Sequence, residues 1–271
     1  GKPRYADTIL EHLVDLRADG SFKLDMKYFA YDYGLTMTNQ RFEELFEHPR
    51  RAPESKMEDF HWDMAASVQW VTEEIMLRMV RDLHERTGAR NLCMAGGVAL
   101  NCVANGRIIR EGPFENLWVQ PAAGDAGSAL GVALFVQHQV LEKPRQFRME
   151  HAFWGPRFSD EEIQGYLEGE EIRSCLGGRT APYRTLPRDE MIAEVARLLD
   201  EEQAVVGWFQ GRLEWGPRSL GSRSILADAR NQENWKRVNL KIKFRESFRP
   251  FAPACLAEKS GAWFEIGRAH V

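Results

Sequence analysis

The chain's 271 residues are 44% hydrophobic and carry a formal net charge of −4, a size and composition that suit a globular chain of about two domains. No run of about 18 apolar residues occurs, and the opening GKPRYADTIL has neither signal-peptide regions nor an Arg-rich transit pattern, so a soluble, cytoplasmic protein with no membrane partner is expected. Four cysteines (Cys93, Cys102, Cys175, Cys255) stand without a C-x-x-C pair, which argues against a thiolate zinc site and a dense disulfide framework and predicts reduced, packed thiols.

Residues 20–60 mix aromatic and polar residues with weak periodicity, the pattern of an irregular or short-stranded insertion. From Asp63, the positions Met64, Val68, Val71, Ile75, Met79 and Leu83 step by three or four. That spacing predicts a helix with one buried stripe, capped by Asp63 and ending near Gly88. Residues 91–95 read as a buried strand broken by Gly96 and Gly97. Helical spacing resumes over 98–111, a second strand covers 117–120, and a helix follows over 126–141. This order is that of an α/β layer, in which ligands collect where strand ends meet helix starts.

A change of composition through Lys143, Pro144, Arg145 and HAFWGPRFSD places a domain boundary near 150, giving domains over 1–150 and 151–265. Ser159 and the acids after it predict a helix start, 189–199 a helix and 204–209 a strand. The terminal IGRAHV (266–271) reads as a non-native tail.

Residues 207–253 hold ten Lys or Arg against four acids, within a chain that is acidic overall. Such a surplus points to an anionic ligand. Arg218, Arg223, Lys243, Arg245 and Arg249 stand among Gly216, Pro217, Gly221 and Pro250, which constrain or free the backbone, so a shaped pocket is expected. Guanidinium forks beside a compact ammonium suit a polyphosphate or acyl phosphate. A basic face with Arg stems packed on Trp208, Trp215 and Trp235 is the structural alternative.

Two junctions complete the candidate chemistry. In AGGVALNCVAN, Gly96 and Gly97 let backbone amides approach a phosphate or ribose, or serve plain close packing. Asn101 and Asn105 fall four apart on one helical face. In PAAGDAGSALG, Asp125 either caps a helix or offers a carboxylate to a metal or phosphate.

Six motifs in one order, DGSFKLDMKYFAY, HWDMAASVQW, NLCMAGGVALNCVANGRI, GPFENLWVQPAAGDAGSALG, VVGWFQGRLEWGPRSLGSRSILADAR and NLKIKFRESFRPFAP, resemble the carbamoyltransferase family of nodulation proteins and antibiotic O-carbamoyltransferases. The resemblance implies an α/β chain: the C-terminal half of an actin/sugar-kinase-like ATPase-fold domain, then an incomplete YrdC-like α/β domain. It implies that the YrdC-like part makes carbamoyl adenylate from carbamoyl phosphate and ATP, magnesium accompanying the nucleotide, and that the ATPase-like part passes the carbamoyl group to a hydroxyl-bearing small molecule. Arg218, Arg223, Lys243, Arg245 and Arg249 would grip the phosphates, and Gly96, Gly97, Asn101 and Asn105 would hold carbamoyl adenylate. Asp125 matches the family's ligand to iron(II), whose histidine ligands would precede Gly1, so tight metal binding by this chain is not expected. Trp215, Ser219 and Ala229 stand where Phe, Ala and Pro are usual, changes of packing rather than charge. The alternatives are an RNA-binding module using the basic segment and a sugar-kinase-like phosphotransferase using the turns at Gly97 and Asp125, the acidic balance weighing against nucleic acid.

Overall fold

The computed structural model describes residues 1–263 as a mixed α/β chain, so the tail expected over 266–271 lies outside the described residues. Packing divides the chain into two units, Gly1–Ala123 and Gly124 onward. The boundary expected near 150 followed composition, whereas this division follows contacts.

In the first unit, helix α1 (Ala6–His12) leads into an antiparallel hairpin of β1 (Val14–Leu16) and β2 (Phe22–Leu24), in which Val14 lies opposite Leu24. After a 3-10 turn at Met26–Tyr28 comes α2 (Gln40–Leu45), N-capped by Asn39, whose side chain accepts from the Arg41 amide. The short-stranded reading of residues 20–60 therefore holds for β2, with a helical turn added.

Helix α3 (Asp59–Thr87) begins earlier than its apolar pattern predicts. Glu58 caps it, its side chain and that of His61 forming a reciprocal box, and Gly88 closes it in the left-handed conformation at φ +60°. Asp63 is not the cap. It is buried, accepting a hydrogen bond from the Lys2 amide at 2.7 Å and forming an ion pair with Arg4 Nε at 3.1 Å. Ser67, fully buried one turn on, accepts from the Tyr5 amide at 2.9 Å. The predicted stripe is also displaced. Val68, Met79 and Leu83 are exposed, while Val71, Met76, Leu77 and Val80 are buried, because Asp63 and Ser67 turn the inner face toward the segment before α1.

Strand β3 (Asn91–Met94) pairs in parallel with β4 (Asn116–Val119), Leu92 beside Leu117. Between them, the helix expected over 98–111 divides into a 3-10 turn at Gly97–Leu100 and α4 (Cys102–Glu111). The result is a βαβ crossover. Two apolar clusters form the core: one around Ile9, Val14, Phe46 and Val71, the other around Leu77, Val80, Leu92 and Ile108.

The second unit opens with α5 (Ala126–Phe135), which passes into a π turn at Val136–Val140 rather than continuing regularly to 141. Helix α6 (Asp160–Glu168) starts at the expected capping box of Ser159 and Glu162, and α7 (Glu170–Cys175) and α8 (Arg188–Asp200) follow. Strands β5 (Val206–Phe209) and β6 (Arg223–Leu226) form an antiparallel hairpin, Phe209 opposite Arg223. Helix α9 (Gln232–Arg237) runs into a π turn at Val238–Ile242, and α10 (Ser260–Trp263) comes last. The expectation of packed thiols is corrected: all four cysteines are free and exposed, Cys93 because it alternates with buried Leu92 along β3 and Cys102 because it begins α4 on its outer side. No helix among the described residues is long and apolar enough to cross a membrane.

Candidate functional site

The first junction is a turn built for backbone access. Gly96 adopts φ +98° and ψ 153°, a conformation essentially reserved for glycine, and its amide donates to Ala123 O at 2.7 Å. A Cβ placed on Gly96 or Gly97 meets nothing within 4 Å, so close packing does not explain the glycines. The space beside them is open.

Asn101 and Asn105 do not share a helical face as the spacing predicted. Asn101 stands outside the helix as the N-cap of α4, its Oδ1 accepting from the Ala104 amide at 3.1 Å. Its amide also pairs reciprocally with that of Gln69 on α3, at 2.9 and 3.2 Å. Gln69 donates to Glu73 at 2.8 Å, and Arg107 ties Glu73, Glu74 and Glu111 together. Hydrogen bonding to Glu111, then to Glu73 and Glu74, raises the Arg107 pKa, so the guanidinium stays charged. Asn105 donates to Ala99 O at 2.8 Å, leaving Oδ1 buried and without a hydrogen-bond partner among the described residues. That orphan acceptor is the atom here most suited to a ligand N–H or O–H.

Asp125 is exposed and stands just before α5 with helical dihedrals, and its side chain makes no capping hydrogen bond. The capping role is thereby set aside. Among the described residues, however, no group of three or more His, Cys, Asp or Glu could hold a metal ion, so the donors present do not fit the iron implied by the resemblance.

In the second unit, the basic residues fall into two classes. Arg223 is engaged by its own chain: its guanidinium donates to Gln210 O at 2.8 Å, Ser222 O at 2.9 Å and Gly211 O at 3.2 Å, and lies 3.4 Å from the centre of the Phe209 ring. Arg245 donates through Nε to Asn239 Oδ1 at 2.7 Å and lies over Phe251. Arg230 is paired with Asp228 and Asp200, and its hydrogen bonds hold the Asp228 carboxyl well below the usual range. By contrast, the side chains of Arg218, Lys243 and Arg249 are exposed and make no hydrogen bond or ion pair with the described residues. The structural alternative is partly realised, through Phe209 and Phe251 rather than the tryptophans.

Two buried polar side chains that the sequence reading missed hold this basic segment. Glu214 Oε1 accepts from the amides of Leu220, Ser222 and Arg223 at 2.9, 2.7 and 3.0 Å. Burial pushes its pKa up, but the backbone hydrogen bonds outweigh that and leave it below its ordinary value. The loop from 214 to 223 is thus closed on one carboxylate, with Arg218 between its ends. At its base the Trp215 amide donates to Ala152 O at 2.7 Å, and Gly155 lies so close to Leu213 that a Cβ would stand 2.6 Å from that of Leu213. Asn239, fully buried, holds the second arm: it donates to Ser247 O at 3.2 Å and Arg249 O at 2.8 Å while orienting Arg245. Trp235 Nε1 donates to the same Arg249 carbonyl at 2.7 Å. A separate cavity of about 270 Å³, lined by α5 and its π turn with Arg145 and Phe147, contains none of the predicted residues.

The chain that carries this glycine turn and this clamped basic hairpin belongs to the carbamoyltransferase family. Residues 1–134 match the family described as Carbamoyltransferase N-terminus, and residues 196–270 match Carbamoyltransferase C-terminus. Among curated relatives, the chain is 53% identical over 270 residues to an uncharacterized protein of Synechocystis sp. and 41% identical over 206 residues to the nodulation protein NolO of Bradyrhizobium diazoefficiens. It is 36% identical over 185 residues to nodulation protein U of Rhizobium fredii. These alignments take in 98%, 76% and 68% of this chain but 43%, 36% and 28% of the relatives, so the chain spans less than half the length of each.

Proposed function

We propose that the chain is part of an O-carbamoyltransferase in which a YrdC-like domain hydrolyses carbamoyl phosphate to carbamate and inorganic phosphate and lets the carbamate oxygen displace pyrophosphate from ATP to form carbamoyl adenylate, and an ATPase-fold domain transfers the carbamoyl group to an acceptor hydroxyl with release of AMP. Family membership supports the group transferred. The observation that carries the phosphate site is that Arg218, Lys243 and Arg249 stand exposed and unpartnered among the described residues on arms closed by Glu214 and Asn239, an exposure that Arg212 and Lys241 share.

In this reading, Arg218 and Arg249 bind phosphate oxygens as forks, and Lys243 adds a point charge where pyrophosphate leaves. Arg223 and Arg245 act as framework, each with part of its fork committed to the chain. Magnesium accompanies ATP. The open turn at Gly96 and Gly97 receives the adenylate, and Asn105 Oδ1 accepts from the ligand. Because the donors present do not fit iron, no step is assigned to it.

The test is pyrophosphate release from ATP with and without carbamoyl phosphate, in this chain and in a full-length family member. Release that requires carbamoyl phosphate, and that falls about a hundredfold in Arg218→Ala with less loss in Arg212→Ala, is expected. A full-length protein that releases none would overturn the adenylation reading.

A further inference from the structure

Glu214 is an acid placed where an anion is to bind, which makes its retention there costly unless its charge is used. Burying a carboxylate is unfavourable without hydrogen bonds to the charged form, and a free negative charge beside Arg218 would repel phosphate. The structure resolves both difficulties at one atom. Oε1 gathers three backbone amides from Leu220, Ser222 and Arg223, while the side chain is only 8% exposed. Converging amides of this kind form the concavity that elsewhere in proteins receives a phosphate or other anion. Here an internal carboxylate fills it.

That filling joins residue 214 to residues 220–223 and so closes the loop that carries Arg218, whose own side chain has no partner among the described residues. The closure extends into the strand. The amide of Arg223 is held by Glu214, its carbonyl accepts from Ser219 Oγ at 3.0 Å, and its guanidinium returns to Gln210 and Gly211. Ser219, adjacent to Arg218, is thereby tied to the same point. We infer that Glu214 is a positioning residue for phosphate recognition: an internal anion that sets the loop so that Arg218 meets the external one. This inference rests on the phosphate-site reading above.

The experiment measures affinity for inorganic pyrophosphate by calorimetry in the full chain, alongside circular dichroism, for wild type, Arg218→Ala, Glu214→Ala and Glu214→Gln. In Glu214→Ala, affinity is expected to fall roughly ten- to a hundredfold, the scale of a misplaced binding group, with helix content unchanged. Added acetate, which replaces the atoms removed, restores affinity in that variant and not in Arg218→Ala. Glu214→Gln, which keeps an acceptor without the charge, falls between. A site that merely held the fold together would not return its affinity to acetate at constant helix content. Wild-type affinity in Glu214→Ala overturns the positioning role while leaving the phosphate site standing. Loss of helix content in both Glu214 variants reassigns Glu214 to folding alone. Failure of the wild type to bind pyrophosphate removes the phosphate site and this inference with it.

Discussion

Asn239 satisfies three partners from a position with no solvent exposure, accepting from Arg245 and donating to the carbonyls of Ser247 and Arg249. Replacing it with Ala removes all three of these hydrogen bonds, although Trp235 still donates to the Arg249 carbonyl, and a loss of about 1–3 kcal/mol is expected by chemical denaturation. Gly96 gives a different kind of test. A Cβ there meets only open space, but its φ of +98° is strained for any L side chain, so Gly96→Ala should cost about 1–3 kcal/mol through the backbone alone. A thermal melt in which Gly97→Ala loses as much as Gly96→Ala would contradict that account. The glycines were legible in the sequence because glycine signals its own conformation. Glu214 and Asn239 were not, since an Asp, Glu or Asn declares its partners only once a loop has closed, six to ten residues away.

Among the elements, those fixed by short-range chemistry were readable: the β3 to α4 junction with its glycine turn, the Ser159 box opening α6, and α8. Helix α3 was readable as a helix, but its inner face was not. Apolar residues occupy more than one stripe, and buried Asp63 and Ser67 select among them by binding the segment at Lys2 to Tyr5. Likewise Asn101 became a cap because Gln69, 32 residues earlier, holds it from another helix. The hairpin of β5 and β6 carries a pH signature. The folded Glu214 pKa lies below its ordinary 4.5, so its contribution to stability is complete above that value and is lost as pH falls through the lower folded value. Acid unfolding below about pH 4.5 should therefore be shallower in Glu214→Gln than in the wild type, a difference that leaves out Asp228, whose lowered pKa is common to both.

At the scale of the whole molecule, apolar burial is concentrated in the first unit, which holds both clusters, whereas Val132, Phe135, Phe244 and Trp263 of the second are exposed. Hydrogen exchange measures that contrast directly. Amides at Leu77, Val80, Leu92 and Ile108 should exchange slowest, and those of residues 141–158 fastest. Comparable protection in both would show that burial does not set local stability here. Composition changes near 150, whereas contacts divide the chain after Ala123, and the latter depends on packing that no local stretch records.

Helix α3 runs through both clusters, with Val71 in one and Met76, Leu77 and Val80 in the other. At 29 residues it is about 43 Å long, a single rod whose hydrogen-bonded backbone is shared property. The two clusters are therefore expected to be coupled in their unfolding through that backbone. Loosening of the mid-helix turn at Val71 is expected to reach the adjoining turn that presents Leu77, so that damage in either cluster is felt in the other as faster hydrogen exchange.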